Sequence, residues 1–226
     1  HGGGWKHGDK RGVQEKPEFF NELGMILVSL NYRLHPDADY RGQAGDIAKG
    51  IRWGHVHAKE YGGSGDRIFL MGHSAGAHLA ALVSTDERYL KEVGLDLKNL
   101  RGTILLDGAG YDIPKNVKLT FPRLRNTYTS MFGEDEEEQR KASPIEYVES
   151  GKGIPPFLIL YVADRPGSRL QSNQFGEKLN EVGCKTEVIG AENKTHATIN
   201  REIGLEGDVP TRKIVKFLKE RIGDAQ

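Results

Sequence analysis

Short apolar segments alternate with helical patterns along this chain, and that alternation limits the folds it can adopt. The apolar segments lack a polar face, which is typical of parallel strands buried on both sides. The predicted strands cover 25–32, 67–71, 102–106, 157–163 and, more weakly, 185–189. The predicted helices cover 17–23, 43–61, 170–182 and 211–222. This order predicts an α/β fold in which helices flank a mainly parallel sheet.

Length and charge set the size and the class of partner. The 226 residues suffice for one domain with a substantial core, so 1–226 is predicted to be a single domain. Lysine plus arginine and aspartate plus glutamate both number 32, which gives a formal net charge of zero. A neutral chain argues against a partner held by phosphate neutralisation, so we expect no nucleic acid. No apolar run reaches the roughly 18 residues that a membrane span needs.

The number of cysteines and the spacing of the histidines argue against a disulfide bond and against a metal site. Cys184 is the only cysteine, so no intrachain disulfide can form and nothing requires an oxidising compartment. The histidines lack ligand spacing with cysteines or paired carboxylates. We therefore expect no metal or cofactor. The compartment stays open, with the cytoplasm favoured, and so does the oligomeric state.

One segment, 112–156, interrupts the alternation of strands and helices. It carries scattered aromatic residues and the acidic run 134–138, which is expected to be solvated. A connection this long inside a compact domain is usually functional. The sequence therefore predicts a small lid or insertion at 112–156.

The sequence GHSAG at 72–76 follows the predicted strand 67–71 and precedes the helical pattern AHLAALVS. In this strand–turn–helix context, G-x-S-x-G predicts a sharp turn that raises the hydroxyl of Ser74 above the carboxyl edge of the sheet. Glycines at both ends of the motif leave room for close packing of the strand against the helix. An ordinary glycine-rich turn is the weaker alternative, because it does not explain this context.

HGGGW at 1–5 and GHSAG together resemble the α/β-hydrolase esterases, especially the hormone-sensitive-lipase-like branch and small carboxylesterases. The resemblance extends to NYRL at 31–34, DGAGYD at 107–112 and HATIN at 196–200. It implies a three-layer α/β-hydrolase sandwich. It also implies a serine hydrolase that cleaves carboxylic esters of small to medium acyl chain through an acyl-enzyme.

The resemblance assigns an oxyanion hole to the backbone amides of Gly3, Gly4 and Ala75. Preplaced backbone donors stabilise the oxyanion without reorganising, and glycines keep side chains away from the carbonyl. By the same resemblance His1 orients the loop. Trp5 lines the substrate pocket or packs beneath it.

The serine needs a base and a carboxylate, which follow it in this fold in the order Ser, Asp or Glu, His. His196 is the histidine that follows Ser74 beyond the adjoining helix. Asp164 comes directly after strand 157–163, at the edge where active sites of open α/β sheets collect. We therefore predict the triad Ser74, Asp164 and His196. Asp107 and Asp112 are competing carboxylates.

A small-molecule ester is the expected substrate. The candidate substrate-binding residues are Trp5, His73, Tyr111, Tyr128, Met131 and Phe132. Tyr128, Met131 and Phe132 lie in the insertion and are candidates for the acyl-binding wall. The alternative for these three is that they anchor the insertion to the core. GHSAGAHL also resembles kynurenine formamidases, so an arylformamidase is an alternative activity, although Gly4 favours an esterase. An inactive protein on a hydrolase scaffold is the remaining alternative.

In the esterase family that this chain resembles, a central strand precedes HGGG. That strand lies in the sheet between the strands that correspond to 25–32 and 67–71. The chain begins at His1, so we expect an N-terminally truncated sheet with exposed strand edges at these two segments. Poor solubility and weak activity of residues 1–226 alone are the expected consequences.

Overall fold

A computed structural model describes residues 1–223, and the last three residues of the predicted domain, 224–226, lie outside the described part. Its strands are β1 (Ile68–His73), β2 (Leu100–Leu106), β3 (Phe157–Val162) and β4 (Thr186–Ala191). They form one sheet in the order β1-β2-β3-β4, and every neighbouring pair is parallel. The predicted α/β fold with a parallel sheet is therefore confirmed, and the carboxyl ends of all four strands meet at one edge.

Helices fill most of the connections between the strands. Their bounds are α1 (Lys16–Glu22), α2 (Tyr40–His57), α3 (Ala75–Thr85), α4 (Glu87–Glu92), α5 (Ile113–Leu119), α6 (Pro122–Phe132), α7 (Glu136–Lys141), α8 (Pro166–Glu181), α9 (Thr198–Arg201) and α10 (Val209–Gly223). Pro17 lies in the first turn of α1, and the Asp39 side chain caps α2 by accepting from the Gly42 amide. Within residues 1–223, no helix is both long and apolar enough to cross a membrane.

Alternate residues of the strands face two different cores, because side chains in a strand point to opposite faces in turn. Leu106 and Leu160 pack with Phe217 of α10 on one face. Leu105 and Ile159 pack on the other face, against the elements that include α3 and α8. The molecule therefore has three layers, with the sheet in the middle.

The prediction of a strand at 25–32 is wrong for this structure. The segment has no strand assignment, because a strand needs a hydrogen-bonded neighbour and none of residues 1–223 pairs with it. An apolar groove of about 740 Å³ separates it from β1, and both Ile26 and Val28 line that groove. Within the same residues β1 pairs with β2 alone, so its other edge faces the groove.

The insertion at 112–156 is helical and well packed. It contains α5, α6, α7 and the 3₁₀ turn Pro144–Tyr147, and residues 148–156 then lead to β3. Tyr128, Met131 and Phe132 of α6 join the core cluster that contains Trp5. The acidic run lies largely on α7, where Glu136 and Glu138 form ion pairs with neighbouring lysines and arginines.

Candidate active site

Ser74 lies at a tight turn between β1 and α3. Its φ of 55° and ψ of −119° are unusual for a residue other than glycine, and its amide donates to the Leu106 carbonyl at 3.0 Å. A Cβ at Gly72 would lie 2.1 Å from the Gly76 carbonyl oxygen, so only glycine permits this approach of strand and helix. The turn holds the Ser74 side chain at the carboxyl edge of the sheet, as the G-x-S-x-G context predicts.

His196, in the loop between β4 and α9, connects Ser74 to a carboxylate. Its Nε2 lies 2.9 Å from Oγ of Ser74, and its Nδ1 lies 2.7 Å from Oδ2 of Asp107. A proton on Nδ1 is donated to Asp107, which leaves Nε2 free to accept the serine proton. The three side chains can therefore act as nucleophile, base and orienting carboxylate.

The structure corrects the choice of Asp164 as that carboxylate. Asp164 is exposed, and its side chain makes no hydrogen bond within residues 1–223. His73 and Leu106 are paired across β1 and β2, so the residues directly after them, Ser74 and Asp107, leave adjacent strands side by side. Asp107 was a competing carboxylate in the sequence, and the pairing of β1 with β2 decides in its favour.

Asp107 is buried and held as an anion. The Val162 amide and the Ser168 hydroxyl donate to Oδ1 at 3.0 and 2.6 Å, and Arg165 forms an ion pair with Oδ2. Burial raises its pKa, but the hydrogen bonds from His196, Ser168 and Val162 and the charge of Arg165 outweigh burial and hold the pKa at about 2. One Arg165 nitrogen also lies 2.5 Å from Nδ1 of His196. Sequence reasoning missed Arg165, although it directly follows Asp164.

The HGGG loop folds back on itself beside Ser74. Gly3 has a φ of +125°, and a Cβ there would lie 2.1 Å from the His7 carbonyl oxygen. The amides of Lys6 and His7 both donate to the Gly3 carbonyl, which fixes the turn. Among residues 1–223, the amides of Gly3, Gly4 and Ala75 donate to no other group.

Trp5 packs beneath this loop and is tied to α3 through His78. Its Nε1 donates to Nδ1 of His78 at 3.2 Å, and Nε2 of His78 donates to the Ala142 carbonyl at 2.8 Å. His78 is fully buried, and burial lowers its pKa to about 4, so the ring is neutral. It links the loop, α3 and the insertion. The signal in the sequence was its position one helical turn after Ser74.

Several predicted substrate-binding residues are part of the core. The Trp5 ring lies 5.3 Å from that of Tyr128 and 4.9 Å from that of Phe132, both edge to face, and Tyr111 stacks on Phe175 at 4.8 Å. Met131 is equally buried. The prediction of an acyl-binding wall at Tyr128, Met131 and Phe132 is wrong for this structure, because these side chains are buried in the core and anchor the insertion instead. Trp5 packs beneath the loop, which is the second of its two expected roles, and Tyr111 is a core residue.

His73 also differs from its prediction as a substrate-binding residue. Its Nε2 donates to the carbonyl of His196 at 2.7 Å. Burial and the nearby His196 lower its pKa to about 4, so it stays a neutral donor. His73 therefore holds the backbone of the loop that carries His196.

Comparison with known proteins shows that this chain is similar to proteins named esterases. A probable isoprenylcysteine alpha-carbonyl methylesterase of Arabidopsis thaliana is 30% identical over 225 residues, which cover 92% of this chain and 46% of that protein. The esterase LipQ of Mycobacterium tuberculosis is 32% identical over 232 residues, which cover 98% and 53%. The kynurenine formamidase of Danio rerio is 24% identical over 229 residues, which cover 96% and 71%. The chain thus spans about half the length of the two esterases.

Solved structures agree on the fold. An esterase of Thermogutta terrifontis superposes with a TM-score of 0.74 at 22% identity, over 99% of this chain and 79% of that one. Esterase B of Lactobacillus rhamnosis superposes with a TM-score of 0.80 at 21% identity, over 99% and 76%. The BD-FAE family model matches residues 1–179, which is well over half of the chain. The chain therefore belongs to the BD-FAE family of α/β-hydrolases.

Proposed function

We propose that this protein hydrolyses carboxylic esters through an acyl-enzyme on Ser74. The observation that carries the proposal is the continuous contact from Ser74 Oγ to His196 Nε2 and from His196 Nδ1 to Asp107 Oδ2, at 2.9 and 2.7 Å. Two such hydrogen bonds in series are the arrangement that activates a serine hydroxyl. The similarity to proteins named esterases agrees with this chemistry.

In the proposed reaction, Oγ of Ser74 attacks the ester carbonyl carbon while Nε2 of His196 takes the hydroxyl proton. The carbonyl oxygen becomes an oxyanion that accepts hydrogen bonds from the amides of Gly3, Gly4 and Ala75. His196 then gives its proton to the departing alkoxide, which leaves as the alcohol. His196 next takes a proton from water, whose oxygen attacks the acyl carbon. As the bond from that carbon to Ser74 breaks and the acid leaves, His196 returns the proton to Oγ of Ser74.

Asp107 keeps His196 in the tautomer and orientation that this reaction needs. A pKa of about 2 means that the carboxylate is ionised at any pH at which His196 can act as a base. It also stabilises the imidazolium that forms while His196 holds the serine proton. Arg165 supports this role by holding Asp107 in its charged form.

We propose small to medium acyl chains for the substrate. The side chains beneath the oxyanion loop that could form a long apolar wall, Trp5, Tyr128 and Phe132, already fill one another's surface. An arylformamidase is the second candidate, and the similarity to a kynurenine formamidase is the observation that favours it. The same triad would then cleave an N-formyl amide.

The test combines a substrate panel with active-site labelling. Esters of p-nitrophenol with increasing acyl length and an N-formyl aryl amine are offered to the protein, and we expect turnover of the shorter esters. An organophosphate should add one label, which Ser74→Ala loses, whereas Ser84→Ala, a buried serine on α3 outside the site, keeps it. Labelling that survives Ser74→Ala, or turnover of the amide alone, would contradict the ester hydrolase.

A further inference from the structure

The corner between α5 and α6 exposes large apolar side chains. Leu119, Phe121 and Leu124 are 64%, 83% and 41% exposed. Phe121 lies between the two helices, with Leu119 at the end of α5 and Leu124 in the first turn of α6. We call residues 119–125 the apolar tip. Side chains of this size at one protruding corner are unusual on a surface that contacts only water.

The apolar tip is basic as well as apolar. From 113 to 133 the sequence has no aspartate or glutamate, and Arg123 and Arg125 are exposed within the tip itself. Neither arginine forms an ion pair within residues 1–223. The nearest acidic element, α7, is neutralised in large part: Glu136 pairs with Lys118 and Arg140. Arg125 donates from Nε to the Val117 carbonyl at 3.0 Å, a neutral partner that leaves its charge in place. The tip therefore presents positive charge without an ion-pair partner around Phe121.

The helix that begins at the tip, α6, reaches the loop beside Ser74. Further along α6, the Thr127 side chain lies 3.6 Å from where a Gly4 Cβ would be, and Ser130 accepts a hydrogen bond from Lys6 at 2.6 Å. Helix α6 therefore runs beside the oxyanion loop, and the tip is at its start. A surface that contacts the tip would therefore be joined to the loop beside Ser74 through α6.

We propose that the apolar tip docks on an anionic phospholipid surface and brings esters held there to Ser74. The second half rests on the proposed function, whereas the docking does not. The tip combines one aromatic ring, flanking leucines and two guanidinium groups. At a deformable lipid surface the apolar side chains would enter the boundary of the acyl chains, and the guanidinium groups would contact the phosphates. A protein partner would need a concave site of matching shape.

Co-sedimentation tests the docking without using activity. The purified protein is mixed with vesicles of phosphatidylcholine alone, and with vesicles in which part of it is replaced by phosphatidylserine. We expect retention on the anionic vesicles that falls with rising salt. Arg123→Ser/Arg125→Ser should weaken retention roughly 25-fold, about five-fold for each charge near the surface. Phe121→Ser should also weaken it on the anionic vesicles.

Matched variants separate the tip from the rest of the surface. Val209→Ser removes an exposed apolar side chain on α10, 49% exposed against 83% for Phe121, and Lys213→Ser/Lys219→Ser removes two charges there. Both should retain binding. Hydrolysis of a dissolved short ester should stay unchanged in every tip variant, while hydrolysis of an ester carried in anionic vesicles should fall with retention.

Three outcomes would overturn the proposal. The first is no retention on anionic vesicles, and the second is retention that the tip variants leave unchanged. The third is concentration-dependent self-association that Phe121→Ser abolishes without any vesicle binding, which would make the tip a protein interface. If the protein docks but hydrolyses no ester in any form, the docking stands and the proposed function fails.

Discussion

His196 donates from Nδ1 to Oδ2 of Asp107 over 2.7 Å, so the base is oriented from the end of β2, the strand next to the one that carries Ser74. The pairing of His73 with Leu106 fixes this relationship, because Ser74 and Asp107 each directly follow one of these paired residues. The nucleophile and the carboxylate thus depend on one strand pairing, and only His196 is supplied by a more distant loop.

Asp107→Asn should lower kcat for ester hydrolysis by roughly 10³–10⁴-fold, because an amide does not fix the required tautomer of His196. Asp164→Asn is the matched control, since its side chain is exposed and should change kcat less than about two-fold. Steady-state kinetics on a short p-nitrophenyl ester measures both. A large loss in Asp164→Asn with little loss in Asp107→Asn would return the role of orienting carboxylate to β3.

His78→Leu should lower kcat by about 10–100-fold with little change in KM. It removes the acceptor for the Trp5 indole and the donor for the Ala142 carbonyl. A misplaced HGGG loop would lose the transition-state stabilisation that we propose for its amides. His78→Gln can supply both partners through its amide and should recover part of kcat.

A double-mutant cycle with Trp5→Phe checks that His78 acts through Trp5. If it does, the effects of His78→Leu and Trp5→Phe on kcat are far from additive. Additive losses, or equal losses of kcat in the Leu and Gln variants of His78, would show that packing alone accounts for the effect.

The free energy of unfolding should fall as the pH is lowered from about 6.5 to about 4. His73 and His78 each have a pKa lowered from 6.5 to about 4, so the unfolded chain binds more protons in this window and stability is lost on acidification. A fully buried histidine such as His78 accounts for roughly 3 kcal/mol. Below pH 4 both histidines are protonated in either state and add no further slope.

Urea unfolding at a series of pH values measures this dependence. His78→Gln should remove a large part of the slope. His57→Gln, at a half-buried histidine at the end of α2 that contacts Glu60, is the control and should remove much less of it. An unchanged slope in His78→Gln would mean that the ring is not held neutral by burial.

The groove beside β1 should promote self-association. The edge of β1 that faces the groove and the apolar Ile26 and Val28 resemble an exposed strand edge, which other chains can extend. Val28→Lys should reduce association, and Val209→Lys, at a similarly exposed valine on α10, should not. Sedimentation velocity over a range of concentrations measures this, and a monomer at every concentration would rule the effect out.

The turn that carries Ser74 and the position of His196 could be predicted from the sequence. GHSAG between an apolar run and a helical pattern predicted the turn at Ser74, and His196 followed from chain order. The choice of Asp164 over Asp107 as the triad carboxylate is wrong for this structure. Both residues follow strands, so the local sequence does not distinguish them. Only the pairing between strands determines which carboxylate reaches the imidazole.

Two other errors have the same origin in long-range contacts. The apolar run 25–32 has strand composition, but strand formation depends on a neighbour that composition does not reveal. Tyr128 and Phe132 have the composition of a pocket wall, yet they pack on Trp5, more than a hundred residues earlier in the chain. Sequence spacing alone does not contain that contact.

Helix α6 begins at the apolar tip and ends at Phe132, whose ring contacts Trp5 beneath the HGGG loop. A surface bound at the tip and an ester bound at the proposed oxyanion hole would therefore both contact the same helix or the residues packed on it. If binding at one of these places shifts α6, thermodynamic reciprocity applies: binding at the tip and binding beside Ser74 must change each other's affinity by the same factor. A non-hydrolysable ester analogue would then tighten attachment at the tip as much as attachment tightens the analogue.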